Sequence, residues 1–175
     1  MPRLVILTGP IAAGKNTTAD ALAAHLTASG RTVVIVDVED VAQMVADPGA
    51  ASVDLWFAAH EAHGALVGQW MGSAVDVVIA VGPIFSLEEQ NALTRHLPPG
   101  TTPLWVLVDA PIEVTLARVQ SDPTRGRSQE PTFHRHAHER FRALSGQIPA
   151  DMSFDSSKQT ADEIALRIVG ALSGR

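Results

Sequence analysis

Ten residues limit the architecture of this chain more than any others: Gly9-Pro10-Ile11-Ala12-Ala13-Gly14-Lys15-Asn16-Thr17-Thr18, set directly behind the apolar run Leu4-Val5-Ile6-Leu7. A buried strand, a loop bounded by glycines and the start of a helix follow in that order, and the spacing fits the phosphate-binding loop G-x-x-x-x-G-K-[ST]. Gly9 and Gly14 accept backbone angles and close approaches that a β-carbon blocks. The loop amides and the following helix N-terminus then face an anion. Gly9, Pro10, Ile11, Ala12, Ala13, Gly14, Lys15, Asn16 and Thr17 are therefore the expected nucleotide-phosphate cradle. Lys15 is one of only two lysines in the chain, with Lys158, and carries the point charge that reaches terminal phosphates. Asn16 departs from the motif. It stands where Ser or Thr sets a hydroxyl on magnesium, so its amide oxygen is the expected metal ligand instead, and Thr17 comes one residue late. The motif implies nucleotide binding first and efficient catalysis second.

Composition narrows the class. At 175 residues, 46% hydrophobic and 18% charged, the chain reads as a single domain over residues 1–175, long enough to bury a full core. No apolar run nears the ~20 residues that cross a bilayer. Met1-Pro2-Arg3 leads into only four strongly apolar residues, unlike a signal peptide. A formal net charge of −6 argues against nucleic acid, which asks for a basic face. There are no cysteines, which excludes disulfides and thiolate metal sites. The expectation is a cytoplasmic protein, monomeric or homodimeric, without nucleic-acid or membrane partners.

Strands and helices alternate along the chain. A helix is expected from about Gly14 to Ser29, with Ala21, Leu22 and Leu26 inward and Gly30 as its stop. Thr32 to Val36 is the β-branched run of a strand covered on both faces, ending in Asp37-Val38-Glu39-Asp40. Ser52 to Gly72 reads as a helix with Leu55, Trp56, Ala59, Ala62, Leu66 and Trp70 on one face. Val75 to Val81 is a third strand, closed by Gly82-Pro83, and Ser86 caps a helix that Pro98-Pro99-Gly100 breaks. Leu104 to Val108 is a fourth strand, ending at Asp109, and Pro111 opens a helix over Ile112 to Gln120. After the polar loop SDPTRGRSQEPT, Ser121 to Thr132, come a helix over Phe133 to Leu144, a short strand at Met152 to Phe154 and a helix over Ala161 to Leu172. The pattern predicts an α/β fold around a parallel sheet of about five strands.

Such sheets bind ligands beyond the carboxyl ends of their strands. That rule gathers the phosphate loop, Asp37, Glu39, Gly82-Pro83 and Asp109. Asp37 is the expected ligand of a magnesium-bound water or acceptor of a proton from a hydroxyl; its structural alternative is a helix cap. Arg118, Arg125 and Arg127 are candidates for contacting phosphoryl oxygens, the last two from the polar loop. Trp56 and His60, four residues apart on a helix, are expected to flank an acceptor pocket with Glu39 and Gly82. His134 and His138 share a helix face without a third metal ligand in sight, so a solvated face is expected there.

These motifs, together with WVLVDAPIEVTLARV from Trp105 to Val119, resemble the small P-loop kinases of the adenylate kinase-like superfamily. That group includes shikimate kinase, gluconate kinase and chloramphenicol phosphotransferase. The resemblance implies a three-layer P-loop NTPase fold, a five-stranded parallel sheet of order 2-3-1-4-5 with helices on both faces, and an arginine-bearing lid over about 121–132. It implies an ATP- and Mg2+-dependent phosphotransferase that moves the γ-phosphoryl group to a hydroxyl of a small metabolite or antibiotic. Asp37 and Glu39 match the Asp-x-Asp pair of shikimate kinases, Arg118 the arginine before the lid, Arg125 and Arg127 the lid arginines. Phe154 to Thr160, with Ser157 and Lys158, matches the adenine-side loop.

Two other functions fit the same residues. A nucleoside monophosphate kinase is one, although no arginine lies between Val41 and Gly72 to hold an acceptor phosphate. The other is a nucleotide-binding sensor with little turnover, for which Asn16 speaks.

Overall fold

A computed structural model describes residues 1–45 and 53–174, with backbone only at 53, 54 and 127. Five strands form one sheet in the order β2-β3-β1-β4-β5: β1 (Arg3–Thr8), β2 (Val33–Asp37), β3 (Val77–Val81), β4 (Leu104–Asp109) and β5 (Met152–Asp155). Every pairing is parallel, with Val5 beside both Ile79 and Leu104. Parallel neighbours need crossovers, and these are helices: α1 (Lys15–Ala28), α2 (Val38–Ala42), α3 (Val53–Met71), α4 (Leu87–Thr94), α5 (Ile112–Gln120), α6 (Pro131–Ser145) and α7 (Ala161–Ser173). A 3-10 segment, Pro123–Gln129, lies between α5 and α6 and is kinked at Gly126. The expected sheet order holds.

Alternation within each strand splits the core into two layers. Val5, Leu7, Ile79, Val106 and Val108 point to one face, where Leu22 and Leu26 of α1 and Ile164, Ile168 and Leu172 of α7 cover them. Leu4, Ile6, Val78, Ala80 and Trp105 point to the other, against Val67 and Met71 of α3, Leu93 of α4 and Phe141 and Leu144 of α6. The central strands are therefore apolar on both faces over residues 4–7, 77–81 and 104–108. Because β1 sits between β3 and β4, the loop leaving its carboxyl end opens at the point where the chain changes side. That placement sets the site.

Two helix faces correct the sequence reading. On α3, Leu55, Leu66 and Trp70 are exposed, at 37, 38 and 41%, and Ala62 is exposed too. The buried face is instead Ala59, His60, His63, Val67 and Met71. Gly64 explains the rotation: a β-carbon there would lie 2.0 Å from the carbonyl oxygen of Ala92, so α4 packs directly on the α3 backbone. Close helix contact, with no side chain between, outweighs the larger apolar residues on the opposite stripe. The Ser52 start expected for this helix lies outside the described residues. On α6, His134 and His138 are buried rather than solvated. His134 Nε2 lies 2.8 Å from the Thr115 hydroxyl and His138 Nε2 3.3 Å from the Ala110 carbonyl oxygen. Those contacts to α5 and the β4–α5 connection engage Nε2 of each ring.

Candidate active site

The phosphate loop is held from below. A β-carbon on Gly9 would fall 1.8 Å from the Val108 carbonyl oxygen, so only glycine lets the loop leave β1 this close to β4. Gly14 caps α1 with φ 97°, and Ala12 takes the left-handed region at φ 58°. For a residue with a β-carbon that conformation costs about 1–2 kcal/mol. Arg118 offsets it: its guanidinium donates to the Ala12 carbonyl at 3.1 Å and, at 2.9 Å each, to the hydroxyl and carbonyl of Ser156. Ser156 in turn donates to the Ala13 carbonyl at 2.6 Å. Two residues more than a hundred positions away thus fasten the loop. Ser156 escaped the sequence reading, which singled out its neighbours; a hydroxyl opposite the loop carries no local pattern.

Lys15 is buried and donates to the Pro10 carbonyl at 2.8 Å, folded onto its own loop. Burial pulls its pKa below the ordinary lysine value, while the charges of Glu39 and Asp37 push it back up. Across from it, Asp37 ends β2 and caps α2, accepting from the Glu39 amide at 2.8 Å. Its other carboxylate oxygen accepts from the Asn16 side-chain amide at 2.6 Å. Burial raises the Asp37 pKa above the usual carboxylate value, partly opposed by the Glu39 N–H. Asp37 thus caps α2 and also lines a cleft.

Two adjoining clefts meet at these residues. The first, about 450 Å³, runs from Ala12, Gly14, Lys15, Thr17 and Thr18 to Arg118, Ser156, Gln159, Thr160 and Ala161. The second, about 420 Å³, is walled by Ile11, Asp37, Trp56, Pro83, Phe85, Asp122 and Phe133. Asn16, Glu39 and Arg125 border both. Arg125 donates to Asp122 at 3.1 Å, and the Arg127 side chain lies outside the described part of the structure. The loop expected to act as a lid is folded here into the 3-10 segment, pinned where Gln129 donates to the carbonyls of Asp122 at 2.7 Å and Val119 at 3.3 Å.

Several expected site residues are turned elsewhere. Ser157 and Lys158 face Asp155, which accepts from the Ser157 hydroxyl at 2.5 Å and the Lys158 ammonium at 2.9 Å. The first cleft is lined by Ser156 and Gln159 in their stead. Gly82 borders neither cleft. A β-carbon on it would lie 2.4 Å from Val38 Cγ1, so it seats α2. His60 is buried behind Trp56, with ring centroids 5.2 Å apart, and its Nε2 lies 3.6 Å from Glu89 Oε2. Trp56 alone of that pair reaches the cleft. Asp109 carries the forked guanidinium of Arg142.

Among the described residues no three His, Asp or Glu side chains gather to hold a metal ion. Oxygen donors from Asp37 and Asn16 nonetheless suit magnesium, which takes one or two protein ligands and completes its shell with water and phosphate. No described helix is long and apolar enough to cross a membrane.

The sequence matches no protein-family model and no curated protein. Solved structures are similar over nearly the whole chain. A shikimate kinase from Acinetobacter baumannii in complex with shikimate is 18% identical, covering 99% of this chain and 94% of its own, with a TM-score of 0.65. An unliganded sugar kinase from Janibacter sp. HTCC2649 is 14% identical, with 99% and 95% covered and a TM-score of 0.69. The Mycobacterium tuberculosis APS kinase in complex with AMPPNP and APS is 15% identical, with 98% of each chain covered and a TM-score of 0.65. The five-stranded 2-3-1-4-5 sheet, the loop behind β1 and these full-length matches together give the chain the fold of the small P-loop kinases.

Proposed function

We propose that this protein is an ATP-dependent phosphotransferase that moves the γ-phosphoryl group to a hydroxyl of a small molecule. The observation that carries the reading is the junction of the two clefts, where Lys15 and Asn16 meet Asp37, Glu39 and Arg125. One cleft has the phosphate loop as its floor, and the other has the buried Asp37 carboxylate, bonded to Asn16 at the shared border. In this arrangement the loop amides and Lys15 hold the β- and γ-phosphates, and Arg118 keeps the loop in shape. Asp37 takes the proton of the attacking hydroxyl, its raised pKa making it a better base than an exposed aspartate. Arg125 stands where charge spreads over the equatorial oxygens. Asp37 and Asn16 would hold magnesium, which would supply charge neutralisation on the phosphates. Pairing of nucleotide and acceptor sites on this fold is also what the AMPPNP- and APS-bound neighbour suggests.

The test is ADP release by the purified protein with MgATP over a panel of hydroxylated compounds, with ATP binding measured alongside. Acceptor-stimulated release that disappears in Lys15→Ala supports the proposal. Tight ATP binding without stimulation by any acceptor favours the sensor.

A further inference from the structure

The second cleft has an unusual charge balance for the acceptor pocket of a phosphotransferase. Its lining carries Asp37, Glu39 and Asp40, all from the end of β2 and the first turn of α2, and a fourth carboxylate, Asp122. Neither Glu39 nor Asp40 makes an ion pair among the described residues. Among the described residues the one cation on its lining is Arg125, already engaged by Asp122. The segments from β2 to α4 add none, because no lysine or arginine occurs between Arg31 and Arg95, and Lys15 lines the neighbouring cleft. Arg95 is bound to Glu61, and Arg140 lies over the Phe85 ring, 5.4 Å from its centroid, without lining the cleft. The opposite walls are aromatic, with Trp56, Phe85 and Phe133.

Physical chemistry turns this lining into a preference. A carboxylate or phosphate on the acceptor would meet an excess of like charge on the Asp37, Glu39 and Asp40 side of the cleft. Such groups are normally received by arginine forks. An ammonium group meets the reverse: attraction from Glu39 and Asp40, and an aromatic face that also favours cations. The Asp37 oxygens are partly taken by Asn16 and the Glu39 amide, which leaves the charge of α2's first turn to the acceptor.

We infer that the acceptor is an amine-bearing alcohol with an apolar face, its ammonium on Glu39 and Asp40, its skeleton on Trp56 and Phe85, and its hydroxyl toward Asp37. This rests on the phosphotransfer reading and names its substrate class. In the reaction the hydroxyl oxygen forms a bond to the γ-phosphorus and the β–γ bridging P–O bond breaks. ADP leaves, and the hydroxyl proton passes to the Asp37 carboxylate.

Three probes of one skeleton test the charge preference: 2-amino-1-phenylethanol, its N-acetyl derivative and mandelate, which are cationic, neutral and anionic at neutral pH. Binding to the full chain loaded with magnesium and AMPPNP is read by calorimetry at low and high salt. The amine is expected to bind at least about tenfold more tightly than the amide, a difference of ~1.4 kcal/mol, with mandelate weakest. The advantage should shrink with added salt and in Glu39→Gln and Asp40→Asn. Mandelate or the amide binding as well as the amine would overturn the inference, and so would failure of all three to bind at millimolar concentration. ADP release is followed separately over cationic, neutral and anionic alcohols. Phosphorylation confined to neutral or anionic compounds sinks the amine assignment and leaves the phosphotransfer reading standing. Selective amine binding without ADP release from any alcohol upholds the charge preference and removes the phosphotransfer reading.

Discussion

Asn16 and Asp37, twenty-one positions apart, are joined by a 2.6 Å hydrogen bond in which the Asn16 side-chain amide donates to the Asp37 carboxylate. The residue that breaks the usual phosphate-loop pattern is thus bonded to the candidate base. Serine at this position would be too short to keep the same contact, but would offer the hydroxyl oxygen that magnesium usually meets. Asn16→Ser is therefore expected to lower the magnesium concentration for half-maximal activity. The measurement is a magnesium titration of ADP release, and an unchanged midpoint would mean the amide serves as well as a hydroxyl.

Asp37→Asn keeps the side-chain shape and removes the charge. A positioned acid–base group is worth ~10² or more in rate, so acceptor phosphorylation should fall by about that factor while ATP affinity moves much less. In the wild type the rate should climb as pH rises through the Asp37 pKa, which burial sets above the ordinary aspartate value, and then level off. An acceptor reaction that proceeds undiminished in this variant would reduce Asp37 to a helix cap.

Lys15→Ala tests the donor side. Its ammonium sits on the Pro10 carbonyl of its own loop, so the fold should survive by circular dichroism. Turnover should drop by at least ~10², the scale of losing one preorganised charge in a phosphate site. Wild-type ATP affinity and turnover in the folded variant would contradict the loop's assignment.

Gly82→Ala drives a methyl group into Val38, whose Cγ1 would be 2.4 Å away. Overpacking of this kind costs typically ~1–3 kcal/mol, read as a lower urea midpoint. Val38→Ala in the same chain should recover part of the loss, since it removes the clashing atom. A double variant no more stable than Gly82→Ala would place the strain elsewhere.

His60 links stability to pH. Burial, reinforced by neighbouring His63, lowers its pKa from 6.5 to about 4. Below pH 6.5 the unfolded chain takes up a proton that the folded chain refuses until about pH 4. Stability is thus fully present above the unfolded value and declines as pH falls through this window, by about 3 kcal/mol for this group alone. His60→Gln should flatten that decline. Urea denaturation of both proteins at pH 7.5 and 5 decides it, and parallel losses would clear His60 of the effect.

The parallel sheet and the phosphate loop were legible in the sequence because each depends on short-range pattern, whereas the strand order came from the resemblance to the small P-loop kinases. Apolar runs such as Val33 to Val36 and Val77 to Val81 have one outcome in an alternating α/β chain, and Gly9, Gly14 and Lys15 keep a spacing that a loop needs. Asp37 and Glu39 followed from the rule that strand ends face the ligand. Tertiary structure decided the rest. Trp70 and Leu66 look like core, and His60 like the wall of an acceptor pocket, until Gly64 admits the backbone of α4 and α3 turns His60 and His63 inward. Ser157 and Lys158 stand in the right loop, yet a tight turn on Asp155 claims them and hands the cleft to Ser156 and Gln159. The bonds of Arg118 to Ala12 and of Asn16 to Asp37 join distant positions. Local sequence pattern sets which faces are apolar and which backbone angles are allowed; only three-dimensional packing sets which side chains meet, because that depends on how closely two backbones can approach.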